Sequence, residues 1–111
     1  MADPAFLKQL KIKSGVVKRL VKEHAFYIKE SEKAAATVEK LKNDASNEDE
    51  EYAAKKAEGI VLENKNMVLD TLRRCGDATE VLQNILDGQS DEIPEVKEAL
   101  DILASAKQIL A

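Results

Sequence analysis

The chain has 111 residues, a net charge of −4, 34% charged residues and 4% aromatics with no Trp. That length is one domain's worth, and a composition led by Ala, Glu, Lys and Leu suits long helices around a narrow core rather than a sheet-based enzyme fold. One Cys and one His exclude an internal disulfide and a histidine metal cluster, and nothing approaches the ~18-residue apolar run of a membrane span.

Asp3-Pro4 reads as a helix start, because Asp caps free N–H groups and Pro is tolerated where its missing N–H costs nothing. The opening MADPAFLKQLKIK has neither the apolar stretch nor the cleavage site of a secretory leader, and a lone Cys75 fits a reducing compartment. No further Pro occurs before Asn43, so the first helix is expected over about 4–43. Lys8 to Lys22 sets the character of this helix. It holds six basic residues (Lys8, Lys11, Lys13, Lys18, Arg19, Lys22) and no acid. At 100° per residue, Leu10, Val17, Leu20, Val21, His24, Tyr27, Ile28, Ser31, Ala35 and Val38 share one side. Lys8, Lys11, Lys18, Arg19, Lys22, Lys29, Lys33 and Lys40 lie roughly opposite. Phe26 falls inside the basic arc and Ile12 at its edge. Lys13 falls on the apolar side, which asks for a frayed first turn or a snorkelling side chain.

Asn43 to Glu51 reads as a turn, with Ser46 or Asn47 capping a second helix over about 48–87. Ala54, Val61, Val68, Leu72, Cys75, Thr79, Leu82 and Leu86 form its heptad seam. Asp77 and Glu80 could form a capping box and break the helix at Gly76, but the seam passes through in register, so one continuous helix is expected. Gly88 ends it. Pro94 opens a third helix to Leu110, whose buried side is expected to carry Val96, Ala99, Leu100, Ile102, Leu103, Ala106, Ile109 and Leu110.

Two equal helices and a short turn imply an antiparallel pair, with the shorter third helix returning along one end. The large apolar residues gather at that end, among them Phe6, Leu7, Leu10, Met67, Leu69, Leu72, Leu82 and Ile85. The other end carries Ala34, Ala35, Ala36, Ala53, Ala54 and Ala57, on which two helices can approach closely. The expected fold is all-α: a single domain over 1–111, an elongated, coiled-coil-like antiparallel three-helix bundle. Charge is uneven along it. Residues 1–42 hold ten Lys/Arg and five Asp/Glu, a net +5, whereas 43–111 hold seven and sixteen, a net −9. The asymmetry can steer a charged partner and favours folding the basic segment against the acidic one.

No glycine-rich phosphate loop is present, His24 and Cys75 read as packing residues, and the acids are surface runs, so catalysis is not expected and no cofactor is implied. The basic strip admits a solvated helix face, a phosphate-bearing partner such as nucleic acid or anionic membrane, or an acidic protein. Few aromatics in the arc and an acidic chain weaken the nucleic-acid reading. Phe26 ringed by lysines resembles an interface hot spot, although supercoiling could instead turn it into a helix contact.

The segment KIKSGVVKRLVKE, Lys11 to Glu23, followed by Tyr27-x-Lys29-Glu30, resembles the N-terminal signature of the tubulin-binding cofactor A family, as does the opening MADP. Glu51-Tyr52-x-x-Lys55-Lys56 and Asn66-Met67-Val68-Leu69-Asp70 with Arg73-Arg74 resemble later segments of that family, with Leu69 standing where the family's proline would be. The resemblance covers residues 1 to about 86. It implies a cytoplasmic chaperone of the microtubule cytoskeleton that uses no nucleotide; independently of the resemblance, a monomer is expected rather than a homodimer. Such a chaperone captures β-tubulin after its release from the chaperonin and passes it, alongside other tubulin-folding cofactors, to heterodimer assembly. Tubulin is a very acidic partner, which agrees with the basic strip, and the resemblance argues against nucleic acid or membrane as the partner. The candidate contacts, chosen on exposure and charge, are Lys8, Lys11, Lys18, Arg19, Lys22, Phe26, Lys29, Lys33, Arg73 and Arg74. The alternatives are a generic coiled-coil adaptor for an acidic partner, dimerising through its alanine-rich end, and a peripheral binder of anionic membrane or nucleic acid.

Overall fold

A computed structural model describes residues 3–111; Met1-Ala2 of the MADP resemblance lie outside the described residues. The described chain is three α-helices: α1 (Pro4–Asp44), α2 (Glu48–Leu86) and α3 (Pro94–Leu110). The ends of α1 and α2 each differ by one residue from the sequence expectation. Asp3 starts α1, its carboxylate accepting from the Ala5 N–H at 3.1 Å and its carbonyl from the Leu7 N–H at 3.0 Å. Asn47 rather than Ser46 caps α2: its Oδ1 accepts from the Glu50 N–H at 2.9 Å, and the Glu50 carboxylate accepts in return from the Ser46 N–H at 2.8 Å. Glu48, Asp49, Glu50 and Glu51 fill the first turn, where the helix dipole favours acids. Gly88, at φ +78, ends the turn after α2, with the Gln89 N–H donating to the Leu86 carbonyl at 3.1 Å. The α2 helix runs unbroken through Leu69 and Gly76.

The described chain forms two compact units, one drawn from residues 3–23 and 71–111, the other from His24–Asp70. Unit 1 is a three-helix bundle. Its core joins Leu10, Val17 and Leu20 of α1, Cys75, Leu82 and Leu86 of α2, and Val96, Ala99, Leu103 and Ala106 of α3. Thr71 and Thr79 are buried with them, and the Cys75 thiol lies 3.9 Å from the Thr79 hydroxyl, so Cys75 is a small core residue. Leu100 and Leu110, expected inside, are exposed at the edges of α3. The buried stripe of a 17-residue helix on two others is narrow, and Val96, Ala99, Leu103 and Ala106 fill it. Lys13 is half-buried in unbroken helix, so its cover comes from the bundle and not from a frayed end.

Unit 2 is an antiparallel hairpin of the C-terminal half of α1 and the N-terminal half of α2. Lys42 pairs with Glu58 across the hairpin, and the Asn64 side chain reaches the Glu30 carbonyl at 3.5 Å. Its interior is thin: Ala54 and Ala57 are buried with His24, whereas Ser31, Ala34, Val38, Leu41 and Val61 are half-buried. Ala35 and Ile28, expected inside, are exposed, as are Ala36, Ala53 and Leu69. A stripe placed at 100° per residue drifts about 20° per heptad from the seam of two paired helices, and the covered positions 31, 34, 38 and 41 follow the heptad.

Gly15 and Gly59 are helical and exposed, and a methyl group added at either would meet nothing within 4 Å. The Gly15→Ala/Gly59→Ala double variant should therefore gain about 1–2 kcal/mol in urea unfolding, since each interior helical Gly costs up to about 1 kcal/mol. Gly88→Ala should lose stability instead, because its φ of +78 strains any side chain. An unchanged urea midpoint for the double variant would show that neither helix gains from propensity there.

Candidate functional site

Nine of the ten sequence-derived contact residues are charged, and all ten are solvent-exposed. In unit 1, the helical repeat of α1 brings Lys8, Lys11 and Lys18 onto one groove with Ser14 and Gly15. Glu95 and Glu98 of α3 form the opposite wall, and Leu7, Leu10, Ala99 and Ile102 supply its apolar lining. Lys18 and Lys22 line a second, shallower groove with Val21, against Glu98 and Asp101. The strip in this unit is thus one wall of a furrow whose other wall is acidic, and not an isolated positive face. Arg19 lies beside it and pairs with Glu23 one turn on, at 3.6 Å. Arg73 and Arg74 are carried on α2 and line neither groove; Arg73 pairs with Asp77 at 3.8 Å.

Unit 2 holds Phe26, Lys29 and Lys33 on consecutive turns of α1. Phe26 is 55% exposed, its ring packed edge-to-face on Tyr27 at 5.3 Å and 75°. It therefore does not turn into a helix contact. An aromatic of this size left more than half exposed, with Lys29 three residues on, has the form of an anchor. Lys33 pairs with Glu30 at 3.6 Å and lines a groove with Thr37, Ile60 and Asn64. Exposed pairs within one helix turn contribute little to stability and leave the lysines accessible.

Sequence patterning missed two features. The first is the row Glu95, Glu98 and Asp101, spaced three residues apart along α3 and set opposite the lysines of α1. The second is a set of large apolar residues in unit 2 that remain exposed: Ile28, Tyr52, Ile60, Leu62 and Leu69 besides Phe26. Leu62 and Leu69, seven residues apart and off the heptad seam, were the available signal. Among the described residues no group of acids, His and Cys could hold a metal ion, and no helix is long and apolar enough to cross a membrane.

Comparison with known proteins bears on what such a surface meets. The family model described as tubulin binding cofactor A matches residues 5–110. Tubulin-specific chaperone A of Mus musculus is 43% identical over 109 residues, which cover 96% of this chain and 97% of that one. The protein of the same name from Oryctolagus cuniculus is also 43% identical, with the same coverage. Among solved structures, human tubulin chaperone cofactor A superposes with a TM-score of 0.75 at 38% identity, covering 92% of this chain and 98% of that one.

Proposed function

The chain belongs to the tubulin binding cofactor A family, and on that premise we propose that it is a tubulin-folding chaperone that captures β-tubulin monomer released from the cytosolic chaperonin. It holds the subunit and passes it to heterodimer assembly. The role is binding and not catalysis, and it needs no nucleotide. The observation that carries the reading is the extent of the family match, nearly end to end in both chains. The chemistry of the surface agrees with it. Lysines on successive turns of α1 suit an acidic subunit, steering encounter at a range set by salt, and Phe26 supplies an apolar anchor. We place the protein in the cytoplasm with the microtubule cytoskeleton, acting as a monomer and as one binding domain, with the candidate contacts on α1 and with Arg73 and Arg74 of α2.

The test is capture of tubulin released from the chaperonin, scored separately for the α and β subunits. Recovery of β-tubulin alone is the expected result, with affinity falling as salt rises. Phe26→Ala should lower the affinity about tenfold, in the range of a hot-spot aromatic, and leave the melting temperature unchanged. Recovery of neither subunit would leave a helical adaptor for some other acidic partner.

A further inference from the structure

We infer that the open side of the helix pair in unit 2 seats an amphipathic helix of the tubulin subunit, an inference that rests on the tubulin-binding reading above. Unit 1 shows how the corresponding side is used there. In that unit α3 lies along α1 and α2. Lys18, Val21 and Lys22 of α1 line the furrow it makes, and a side-chain carbon at Gly76 of α2 would stand 3.7 Å from Leu110 of α3. Paired helices repeat their faces every seven residues. By that count Val21 recurs at Ile28, Lys18 at Ala25 and one repeat further at Glu32, and Gly76 at Leu69 and one repeat further at Leu62.

Unit 2 contains only α1 and α2 segments, so this register has no third helix to cover it. Its apolar members are accordingly in water: Ile28 is 38% exposed, Leu62 61% and Leu69 65%. Ile28, Val68 and Leu69, with Ser31, Glu32 and Lys65 at the edges, enclose a groove of about 390 Å³. Large aliphatics clustered in water along a two-helix groove have the form of a surface that receives an amphipathic helix.

The charges at the edges say which helix fits. In unit 1 the chain's own α3 buries Val96, Ala99, Leu103 and Ala106 and sets Glu98 and Asp101 opposite lysines of α1. The groove of unit 2 carries the reverse charge on α1, where Glu32 stands, and Lys65 on the α2 wall. Both are exposed and enter no ion pair among the described residues. The occupant is a helix with an aliphatic stripe, a basic residue on the edge toward Glu32 and an acidic one on the edge toward Lys65. A second copy of this chain offers α3 poorly, since its acidic edge would meet Glu32.

The experiment titrates fluorescent chaperonin-released tubulin with the full chain and with Ile28→Gln, Leu69→Gln and Glu32→Lys/Lys65→Glu. The Gln changes alter no charge, so they leave steering by the lysines untouched. The expected result is binding by the wild-type chain, a tenfold or greater loss for Ile28→Gln and for Leu69→Gln, a loss for the charge exchange, and unchanged melting temperatures. Wild-type affinity in all groove variants would overturn the inference and leave the tubulin reading standing. A concentration-dependent dimer in sedimentation that Leu69→Gln dissociates would overturn it too, by giving the groove to a second copy. If the wild-type chain bound no tubulin, the functional reading would fail and this inference with it.

Discussion

Leu82→Ala should cost about 3 kcal/mol of folding stability, in the range of buried Leu→Ala changes. Leu82 has no exposed surface and sits in the cluster formed by all three helices of unit 1. The methyl groups removed leave a cavity that three helices, each fixed by its other contacts, can close only in part. In a chain of this length such a loss lowers the melting temperature by on the order of 10–20 °C. The urea midpoint should fall with the slope unchanged, which separates lost packing from altered compactness. Leu69→Ala, at 65% exposure, is the control and should move stability by no more than about 0.5 kcal/mol. A loss below about 1 kcal/mol at Leu82 would mean that the bundle relaxes around the deletion.

The same contrast explains what the sequence could and could not disclose. The three helices were legible because their punctuation is local: Asp3-Pro4, Asn47 with Glu50, Gly88 and Pro94 each act within one turn of the backbone they cap. The seam of α2 was legible because a heptad carries its own register, and it runs through Gly76 without a break. Exposure in unit 2 was less legible. Ile28 and Ala35 look internal when a helix is wheeled at 100° per residue, and a two-helix seam covers fewer positions than that wheel assigns. Leu69 reads as core because a large aliphatic beside Val68 and Leu72 usually is, yet which side a helix shows depends on whether a third helix lies there. Of the candidate site, spacing alone puts the lysines on the surface and leaves Phe26 between the basic arc and a helix contact, a choice that its exposure in the fold decides. Spacing does not disclose the acidic row of α3 opposite Lys11, Lys18 and Lys22, because contact between α1 and α3 is a property of the fold and of no single segment.

That acidic row makes charge reversal on α1 a two-part experiment. Lys11→Glu/Lys18→Glu/Lys22→Glu should slow association with tubulin by tenfold or more, since steering by such charges acts mainly on the on-rate. It should also lower stability by about 1 kcal/mol, because the new carboxylates would face Glu95, Glu98 and Asp101 across exposed grooves where each like-charge contact costs little. Adding Glu95→Lys/Glu98→Lys/Asp101→Lys restores the pairing with its polarity exchanged, and the melting temperature should return. Net charge returns as well, so the long-range field of unit 1 is close to its original value. Tubulin binding should nevertheless stay weak, because the lysines would stand on α3 and not on the face of α1. Stopped-flow association rates at two salt concentrations, with a thermal melt of each variant, measure both halves. Rates that recover together with the melting temperature would assign steering to the net field of the unit, and the α1 residues would then be stabilising partners of α3 and not contacts of tubulin.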